Sequence, residues 1–366
     1  MPLLGTAATI DSAAASVAAA PSAFNFSALT IGAIRWDAWY SSTQGSVSQQ
    51  AQAVLSPSQY QARAPWFSNV LSTSSIVSVG NQSNMDSEIG YATAAGLKFW
   101  AFNEYTASHD PDLRLAWSLY QSSVFKSKIN WTWISDIGNL GSTGNFSSQV
   151  TAYVKNFQDP QYQTVLGGRP LWFLIWNASN FSSLWGSSYS NLAAMITSLR
   201  AATVAAGLQT PYIVVMDSIA GVATEMSSIG ADAISYYNNS NVGNYAALVA
   251  SNEAKWSTYA ATGEPFIPTA IVGWDYRPFI TTPEPWYNTG TGSINTYTAD
   301  GAVTQVAQHI RDGAAYVKAN PAIVPSSVLL IYAWDECAEG GANMLIPTLG
   351  DPPPSSLLAA VASVLT

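Results

Sequence analysis

Two glutamates near the end of the chain, Glu336 and Glu339, have the residue type and spacing that point most directly to chemistry. They follow an apolar run at residues 328–333, in a segment that reads SVLLIYAWDECAEGG. The run predicts a buried strand that delivers Asp335, Glu336 and Glu339 to its carboxyl end. Carboxylates are costly to bring next to an apolar core. Their position beside Trp334 therefore indicates acid–base chemistry on a neutral, hydroxylated substrate.

The spacing of the two glutamates favours catalysis by a carboxyl pair. Residues at i and i+3 lie on one side of a helical turn, about 5–6 Å apart at Cβ. At that separation, burial and mutual repulsion keep one carboxyl group protonated while the other is ionised. Retaining glycosidases hold their two carboxyl groups about 5–5.5 Å apart, and inverting ones about 6.5–9.5 Å apart. The spacing mildly favours retention.

The composition argues against several classes of function. The 366 residues are 48% hydrophobic but only 10% charged, against about 25% charged in a typical soluble domain. The net charge of −9, without a basic run or a glycine-rich phosphate loop, argues against a nucleic-acid partner. With one cysteine, Cys337, and two histidines, His109 and His309, we expect no metal site and no cofactor.

The predicted location is secreted or periplasmic, because the chain combines low charge with many serines and threonines. Residues 1–24 lack the basic start and continuous apolar core of a signal peptide. The longest apolar runs have the length of strands and are too short to span a membrane. The composition gives no prediction of oligomeric state.

Apolar segments of strand length alternate with helical patterns along the chain, and they predict an α/β fold. The segments are apolar on both faces, as buried parallel strands are. Their number and the chain length suit a single (β/α)8 TIM barrel with extended βα loops; a doubly wound open sheet is the alternative. We predict an N-terminal arm at 1–28 and a catalytic barrel at 29–366. The eight predicted strands are residues 30–36, 97–102, 128–134, 170–175, 212–216, 231–236, 266–272 and 328–333.

In such a barrel the carboxyl ends of the strands meet at one mouth, where the active sites of barrel enzymes lie. The sequence places carboxylates, amides and flat aromatic rings at these ends. Aromatic faces stack on the C–H faces of sugars, and the polar groups hydrogen-bond hydroxyls, so we predict a carbohydrate substrate. The predicted substrate-binding residues are Asp37, Trp39, Tyr40, Asn103, Glu104, Tyr105, Asp136, Trp176, Asp217, Tyr237, Asn238, Trp274, Asp275, Arg277, Trp334 and Asp335.

Several of these residues also have structural interpretations. Asp136 and Asp217 are suited to cap the helices that follow them, because aspartate is a favoured N-cap residue. Arg277 can pair with Asp275 or Glu284 as a structural ion pair. These alternatives stay open at the level of sequence.

Other residues of interest are predicted to be mainly structural. Glu104 is either a second acid or the partner in a loop salt bridge, and His109 is expected in a turn. Cys337 lies between carboxylates, which raise the pKa of a thiol, so it is expected to be a packed small residue. Four tryptophans within predicted strands are expected in the core: Trp36, Trp100, Trp133 and Trp172.

The segment at 334–340, WDECAEG, resembles the (W/F)NEWxEG motif of glycoside hydrolase family 99. It also resembles related domains associated with bacterial polysaccharide biosynthesis. In those proteins the motif runs on to an xEP or xPT segment, and the tripeptide IPT at 346–348 lies in the matching place. The weaker similarities are AWY at 38–40, MDSEI at 85–89 and AAGL at 94–97. The resemblance spans most of the chain, although only the final motif is specific.

The resemblance implies a metal-independent, retaining, endo-acting α-mannosidase or mannanase. Glu336 would be the base that deprotonates the sugar 2-hydroxyl, which then attacks its own anomeric carbon and gives a 1,2-anhydro sugar. Glu339 would be the general acid and then the base for water. Asp335 replaces the family's asparagine and Cys337 its tryptophan, so the predicted substrate is α-mannan-like or α-glucan-like.

Other functions compatible with the sequence come from different classes. A family 71-like α-1,3-glucanase has a similar acidic pair and is a neighbouring enzyme class. A non-catalytic carbohydrate-binding barrel, or an accessory domain of polysaccharide assembly, would have no need of two close carboxylates. A non-glycosidic hydrolase or lyase has little support, since no metal cluster and no serine–histidine pair is visible.

Overall fold

The computed structural model describes residues 28–106, 109–284, 294–295 and 297–365. The predicted arm at 1–28 therefore lies outside the described residues except for residue 28. Eight strands follow one another along the chain with helices between them. They are β1 (Thr30–Arg35), β2 (Phe99–Asn103), β3 (Asn130–Asp136), β4 (Arg169–Ile175), β5 (Tyr212–Met216), β6 (Ala233–Ser235), β7 (Thr269–Ile271) and β8 (Val328–Tyr332).

These eight strands are parallel neighbours in one sheet, in the order β7-β8-β1-β2-β3-β4-β5-β6, and a short ninth strand at 164–165 pairs antiparallel with β4. The first and last strands in this order approach each other through a parallel bridge between Ile234 and Phe266. There the N–H of Ile267 donates to the carbonyl of Ile234 at 3.0 Å. The sheet is thus nearly closed, and the predicted (β/α)8 barrel is confirmed. The open doubly wound sheet is wrong.

The helices surround this sheet, and most lie near the helical patterns that the sequence predicts at about residues 85–95, 111–125, 146–157, 190–206, 220–228, 243–262, 302–319 and 355–365. Three of them, α1, α5 and α9, were not predicted and lie in the extended loops after β1, β4 and β7. The helices are α1 (Val47–Val54), α2 (Gln82–Ala94), α3 (Leu115–Ser122), α4 (Ser147–Phe157), α5 (Ala178–Trp185), α6 (Tyr189–Ala205), α7 (Val222–Ile229), α8 (Tyr245–Ala260), α9 (Arg277–Thr281), α10 (Val303–Ala319) and α11 (Ser356–Leu365). No helix in the described ranges is long and apolar enough to cross a membrane.

Polar caps explain where two of the unpredicted helices begin. Ser46 accepts a hydrogen bond from the N–H of Gln49 and begins α1, and Asn177 accepts one from Asn180 and begins α5. Side-chain caps of this kind satisfy N–H groups that the first turn of a helix leaves free. A short hairpin of Asn69–Ser72 and Ser75–Val77 follows α1 and completes the loop after β1.

Large aromatic side chains fill the core. Trp100, Trp133 and Trp172 are at most 1% exposed, as predicted for tryptophans within strands. Close packing of rings requires small neighbours: a Cβ atom on Gly32 would lie 2.3 Å from the ring of Phe99 on the adjacent strand. The prediction is wrong for Trp36. It lies one residue beyond β1, is only half-buried, and lines a cavity at the barrel mouth.

Candidate active site

The two glutamates lie on a single turn after β8. The N–H groups of Glu339 and Gly340 both donate to the carbonyl of Glu336, at 3.2 and 2.8 Å. The N–H of Trp334 donates to the carbonyl of Ile34 at 2.7 Å, which ties the start of the turn to β1. The turn presents both glutamate side chains to one cavity, as the i, i+3 spacing predicts.

Glu336 is the more buried of the pair, with 6% of its surface exposed. Its Oε1 accepts a hydrogen bond from the hydroxyl of Tyr237, which follows β6. That hydroxyl in turn accepts from Nδ2 of Asn103, at the end of β2, at 2.6 Å. Burial, and then the charge of Glu339, raise the pKa of Glu336 well above its ordinary range, and the hydrogen bond from Tyr237 opposes the shift.

Glu339 is half-buried and has a tyrosine partner of its own. The hydroxyl of Tyr332, the last residue of β8, donates to Oε1 of Glu339 at 2.7 Å. The rings of Tyr237 and Tyr332 meet edge to face, with centroids 5.6 Å apart. Burial and the neighbouring glutamates raise the pKa of both phenols well above the ordinary value, so both remain neutral hydrogen-bond donors.

A cavity of about 390 Å³ contains the glutamate pair. Four aromatic side chains, Trp36, Tyr105, Tyr237 and Phe279, contribute to its wall together with the two glutamates. The indole N–H of Trp36 donates to the hydroxyl of Tyr105 at 2.8 Å, which fixes one ring against the other. A cavity with flat aromatic walls and a few convergent polar groups has the general form of a small-molecule site.

A second cavity, of about 660 Å³, adjoins the first. Both cavities include Asn103, Tyr105 and His109 in their walls. The other described residues of the second cavity are mainly polar, and Glu104 and Asp136 are among them. The mouth therefore holds two adjoining compartments, one built around the glutamate pair and one rich in amides and carboxylates.

Glu104 and Asp136 are both held by hydrogen bonds within the second cavity. Glu104 accepts from the hydroxyls of Ser135 and Tyr153 at 2.5 and 2.6 Å, and burial raises its pKa. No lysine or arginine of the described residues lies within ion-pair distance of Glu104, so the loop salt bridge considered for it is not seen there. Asp136 accepts from the amides of Asn177 and Asn180 at 2.8 and 2.6 Å.

Asp136 also caps a short 3₁₀ turn through the N–H of Gly138, at 2.6 Å. Asp136 thus caps this turn and also lines the second cavity, so a structural role and a substrate-binding role are compatible in this residue. Asn177 has the same double position, because it caps α5 and lines the second cavity.

Beneath the turn lies a buried cluster built on Arg35. Its guanidinium donates to Asp37 at 2.6 Å from Nη2 and at 3.0 Å from Nε, and its Nη1 lies 2.8 Å from Glu88 of α2. Its Nη2 lies 3.6 Å from Oδ2 of Asp335, and its carbon lies 4.4 Å from the ring centroid of Trp100. The cluster fastens the ends of β1 and β8 to helix α2.

Five predicted substrate-binding residues belong to this cluster and its shell. They lie beneath the first cavity, and at most 3% of the surface of each residue is exposed. Their polar atoms make hydrogen bonds inside the protein and do not face the cavity. Tyr40 and the indole of Trp334 donate to Glu88, and the indole of Trp39 donates to the carbonyl of Asp335. The five residues are Asp37, Trp39, Tyr40, Trp334 and Asp335.

Asp275 and Arg277 form the ion pair considered from the sequence. Nε and Nη2 of Arg277 donate to the two oxygens of Asp275 at 2.8 and 2.6 Å, and Arg63 makes a second ion pair with it. The N–H of Asp275 donates to the carbonyl of Glu339 at 2.6 Å. Asp275 therefore supports the glutamate turn from below. The neighbouring Trp274 packs against Tyr332, with ring centroids 6.3 Å apart.

The remaining predicted residues lie on the far side of the mouth. Trp176 packs against Phe181 and Tyr189, with ring centroids 4.7 and 5.7 Å away. Asp217 contacts Glu225 at the start of α7, where burial and then Asp217 raise the pKa of Glu225 to about 8.

Asn238 contributes a backbone contact on this side of the mouth. Its carbonyl accepts a hydrogen bond from Lys255 at 2.9 Å. Along with Trp176 and Asp217, it is not among the described residues that line either cavity.

Sequence reasoning missed some of the residues that shape the site. Tyr332 was part of an apolar run, yet its hydroxyl holds Glu339. The hydroxyl of Tyr332 could have indicated this contact, since a buried tyrosine usually needs a hydrogen-bond partner. Arg35 lay within a predicted strand, and a lone arginine there signals buried carboxylates. Cys337 is buried with a thiol pKa raised by burial and then by Asp335, as predicted.

The barrel resembles solved structures of family 99 glycoside hydrolases. A GH99 endo-alpha-mannosidase from Bacteroides thetaiotaomicron is 14% identical with a TM-score of 0.56, over 92% of this chain and 95% of that one. A glycoside hydrolase-like protein is 13% identical with a TM-score of 0.56, over 92% and 94% of the two chains. No protein-family model and no curated protein matches the sequence. The chain thus has a GH99-like barrel fold.

Proposed function

We propose that the protein is a retaining glycoside hydrolase that cleaves α-linked bonds in a polysaccharide or oligosaccharide. The observation that carries the proposal is the pair Glu336 and Glu339, which face one cavity at the barrel mouth and are each hydrogen-bonded by a separate tyrosine. The different burial of the two groups suits a division between base and acid, because the environment of each carboxyl sets its protonation. The GH99-like fold supports the proposal.

The proposed reaction follows the roles implied by the resemblance. Glu336 takes the proton of the sugar 2-hydroxyl, and that oxygen attacks the anomeric carbon as the bond to the leaving oxygen breaks. Glu339 gives its proton to the leaving oxygen. Water then opens the 1,2-anhydro sugar after losing a proton to Glu339, and Glu336 returns its proton to the 2-oxygen. Two inversions at the anomeric carbon give net retention.

The environment of Glu336 suits the role of base. Burial raises its pKa, and a carboxylate with a raised pKa accepts a proton more readily once it is ionised. The hydrogen bond from Tyr237 stabilises the ionised form, so the group is a stronger base than an exposed glutamate and still reaches its charged state.

The two adjoining cavities favour a substrate longer than one sugar. The cavity with the glutamate pair has aromatic walls that suit the faces of a pyranose ring, and the adjoining cavity offers amides and carboxylates for hydroxyl groups. We propose α-mannan-like or α-glucan-like chains as substrates, with a further sugar in the second cavity.

The test is a screen of the purified protein against α-mannans, α-glucans and aryl α-glycosides. Reducing ends measure cleavage, and NMR of the first product gives the anomeric configuration. Glu336→Gln and Glu339→Gln should each lower turnover by orders of magnitude while sugar binding, followed by calorimetry, persists. Glu264→Gln, before β7 and away from the mouth, is the matched control.

An inverted product, or full activity in both site variants, would contradict the proposal. Sugar binding by the wild type without any turnover would identify a non-catalytic barrel.

A further inference from the structure

The side chain of Asp335 has one oxygen that is satisfied and one that is not. Its Oδ1 accepts the N–H of Trp36 at 2.9 Å. Its Oδ2 is completely buried, and no N–H or O–H group of the described residues donates a hydrogen bond to it. The nearest cationic group, Nη2 of Arg35, is 3.6 Å away, beyond hydrogen-bonding distance. A buried carboxylate oxygen without a donor is costly to maintain.

The carboxyl groups of Asp37 and Asp335 face the same nitrogen, Nη2 of Arg35, at 2.6 and 3.6 Å, and a hydrogen bond between the two carboxyl groups contributes to the raised pKa of Asp335. Two carboxylates can only accept, so a hydrogen bond between them requires that one of them carries a proton. Arg35 donates two hydrogen bonds to Asp37, at 2.6 and 3.0 Å, whereas Oδ2 of Asp335 receives none from the described residues. The proton therefore belongs to Asp335. Because Oδ1 of Asp335 already accepts from Trp36, the proton lies on Oδ2.

The charges around Asp335 lead to the same conclusion. From β1 and the segment after it, Arg35, Asp37 and Tyr40 face the cluster, and Glu88 faces it from α2. Glu336 and Cys337 follow Asp335 on its own turn. One guanidinium opposite three buried carboxylates would leave a net negative charge, which is strongly unfavourable away from water. Burial and then Asp37 raise the pKa of Asp335 well above its ordinary range.

We propose that Asp335 is held as a neutral carboxylic acid that donates from Oδ2 to Asp37. It is then a positioning residue, because its Oδ1 holds the backbone of Trp36, on the wall of the first cavity, and it directly precedes Glu336 in the chain. Ionisation of Asp335 would replace this hydrogen bond with repulsion between two carboxylates beneath the glutamate turn. The effect on catalysis rests on the proposed function, whereas the protonation state does not.

Thermal denaturation of Asp335→Asn across a pH series tests the protonation directly. An asparagine amide can donate the same hydrogen bond without a titratable proton. The stabilisation from a group with a raised folded-state pKa is complete below its unfolded pKa, about 3.9 for aspartate, and is lost as pH rises through the folded-state value. The Tm of Asp335→Asn should thus increasingly exceed that of wild type as pH rises. Asp312→Asn on α10, away from the cluster, is the control for the substitution itself.

Infrared spectroscopy of the wild type supplies a second measurement that needs neither a variant nor a substrate. Protein labelled isotopically in its aspartate carboxyl groups should keep the carbonyl band of one neutral aspartic acid at neutral pH and lose it only at alkaline pH. The absence of that band at neutral pH, or a pH-independent Tm difference for Asp335→Asn, would overturn the inference. If the proposed activity is found, Asp335→Asn should also retain it further into the alkaline range than wild type.

Discussion

The hydroxyl of Tyr237 donates a hydrogen bond to the carboxylate of Glu336. The two residues come from the loops after β6 and β8, which are not neighbouring strands, so the bond spans part of the barrel mouth. It acts against the burial and the nearby charge of Glu339, which raise the pKa of Glu336. This balance sets the pH at which Glu336 becomes available as a base.

Tyr237→Phe should move the acid limb of the pH profile. Loss of the hydrogen bond removes a contact that lowers the pKa of Glu336, so that pKa rises further. A base works in its ionised form, so activity is present above this pKa and is lost as pH falls through it. A hydrogen bond to a charged group is worth about 1.5–3 kcal/mol. Its loss should therefore move the acid limb of the activity profile upward by about one to two pH units.

The measurement is kcat/KM against pH for wild type and Tyr237→Phe, with Tyr316→Phe on α10 as the control. The variant should approach wild-type activity at high pH and fall behind it at low pH. An acid limb that does not move would argue against Glu336 as the base.

Tyr332→Phe should have an effect that depends on the leaving group. Tyr332 holds Glu339 at 2.7 Å, and Glu339 is proposed to protonate the leaving oxygen. A poor leaving group needs that proton, whereas an activated aryl leaving group needs it far less. The variant should therefore lose roughly tenfold or more in kcat on a natural glycoside, about 1.4 kcal/mol, and much less on an activated aryl glycoside. Equal losses on both substrates would contradict the role of Glu339.

Participation of the sugar 2-hydroxyl gives a prediction about substrates. If that oxygen attacks the anomeric carbon, a 2-deoxy analogue of an accepted substrate should bind but should not be cleaved at a measurable rate. The comparison requires binding by calorimetry and turnover by product analysis on the same pair of compounds. Cleavage of the 2-deoxy compound with retention would indicate a covalent glycosyl-enzyme intermediate instead.

The barrel could be predicted from the sequence because its signal is local and repeated. Each strand is a short apolar run bounded by polar residues, and β5 was predicted with its observed bounds, Tyr212–Met216. The weakest predictions are at β6 and β7, each only three residues long in the structure. Those strands lie where the sheet is barely closed, so tertiary contacts and not the residue pattern decide where they end.

The site was predictable only for residues that share a turn. Glu336 and Glu339 could be paired because three positions separate them. Asp335 and Asp37 are far apart in sequence. An arginine within a strand, Arg35, signals buried carboxylates, but no local pattern indicates that Asp37, Glu88 and Asp335 are its partners. The resemblance expects asparagine at 335, and a protonated aspartate would make the same hydrogen bond.

Asp275→Asn should destabilise the protein and disturb the glutamate turn. Burial alone would raise the pKa of Asp275, but the hydrogen bonds from Arg277 and the charge of Arg63 outweigh it and lower that pKa. Breaking a buried pair by removing one partner costs about 3–5 kcal/mol. Thermal denaturation should show a large loss of Tm at neutral pH, with Asp312→Asn as the control.

The pH dependence of that loss follows from the sign of the shift. A group with a lowered folded-state pKa stabilises the protein above its unfolded pKa, and this contribution disappears as pH falls through the folded-state value. The Tm difference between wild type and Asp275→Asn should therefore shrink in acid. A difference that stays constant down to the lowest accessible pH would mean that the ion pairs with Arg63 and Arg277 contribute little.

Trp36 offers the sharpest test of sugar binding, because its indole lines the first cavity while its backbone N–H is engaged by Asp335. Trp36→Ala removes the ring and leaves that backbone contact in place. If the ring packs on a sugar, an aromatic contact of about 1 kcal/mol corresponds to roughly fivefold weaker binding. Trp36→Phe keeps a ring but loses the hydrogen bond to Tyr105. Binding should follow the order wild type, Trp36→Phe, Trp36→Ala in calorimetry, and equal affinity in all three would place the sugar elsewhere in the mouth.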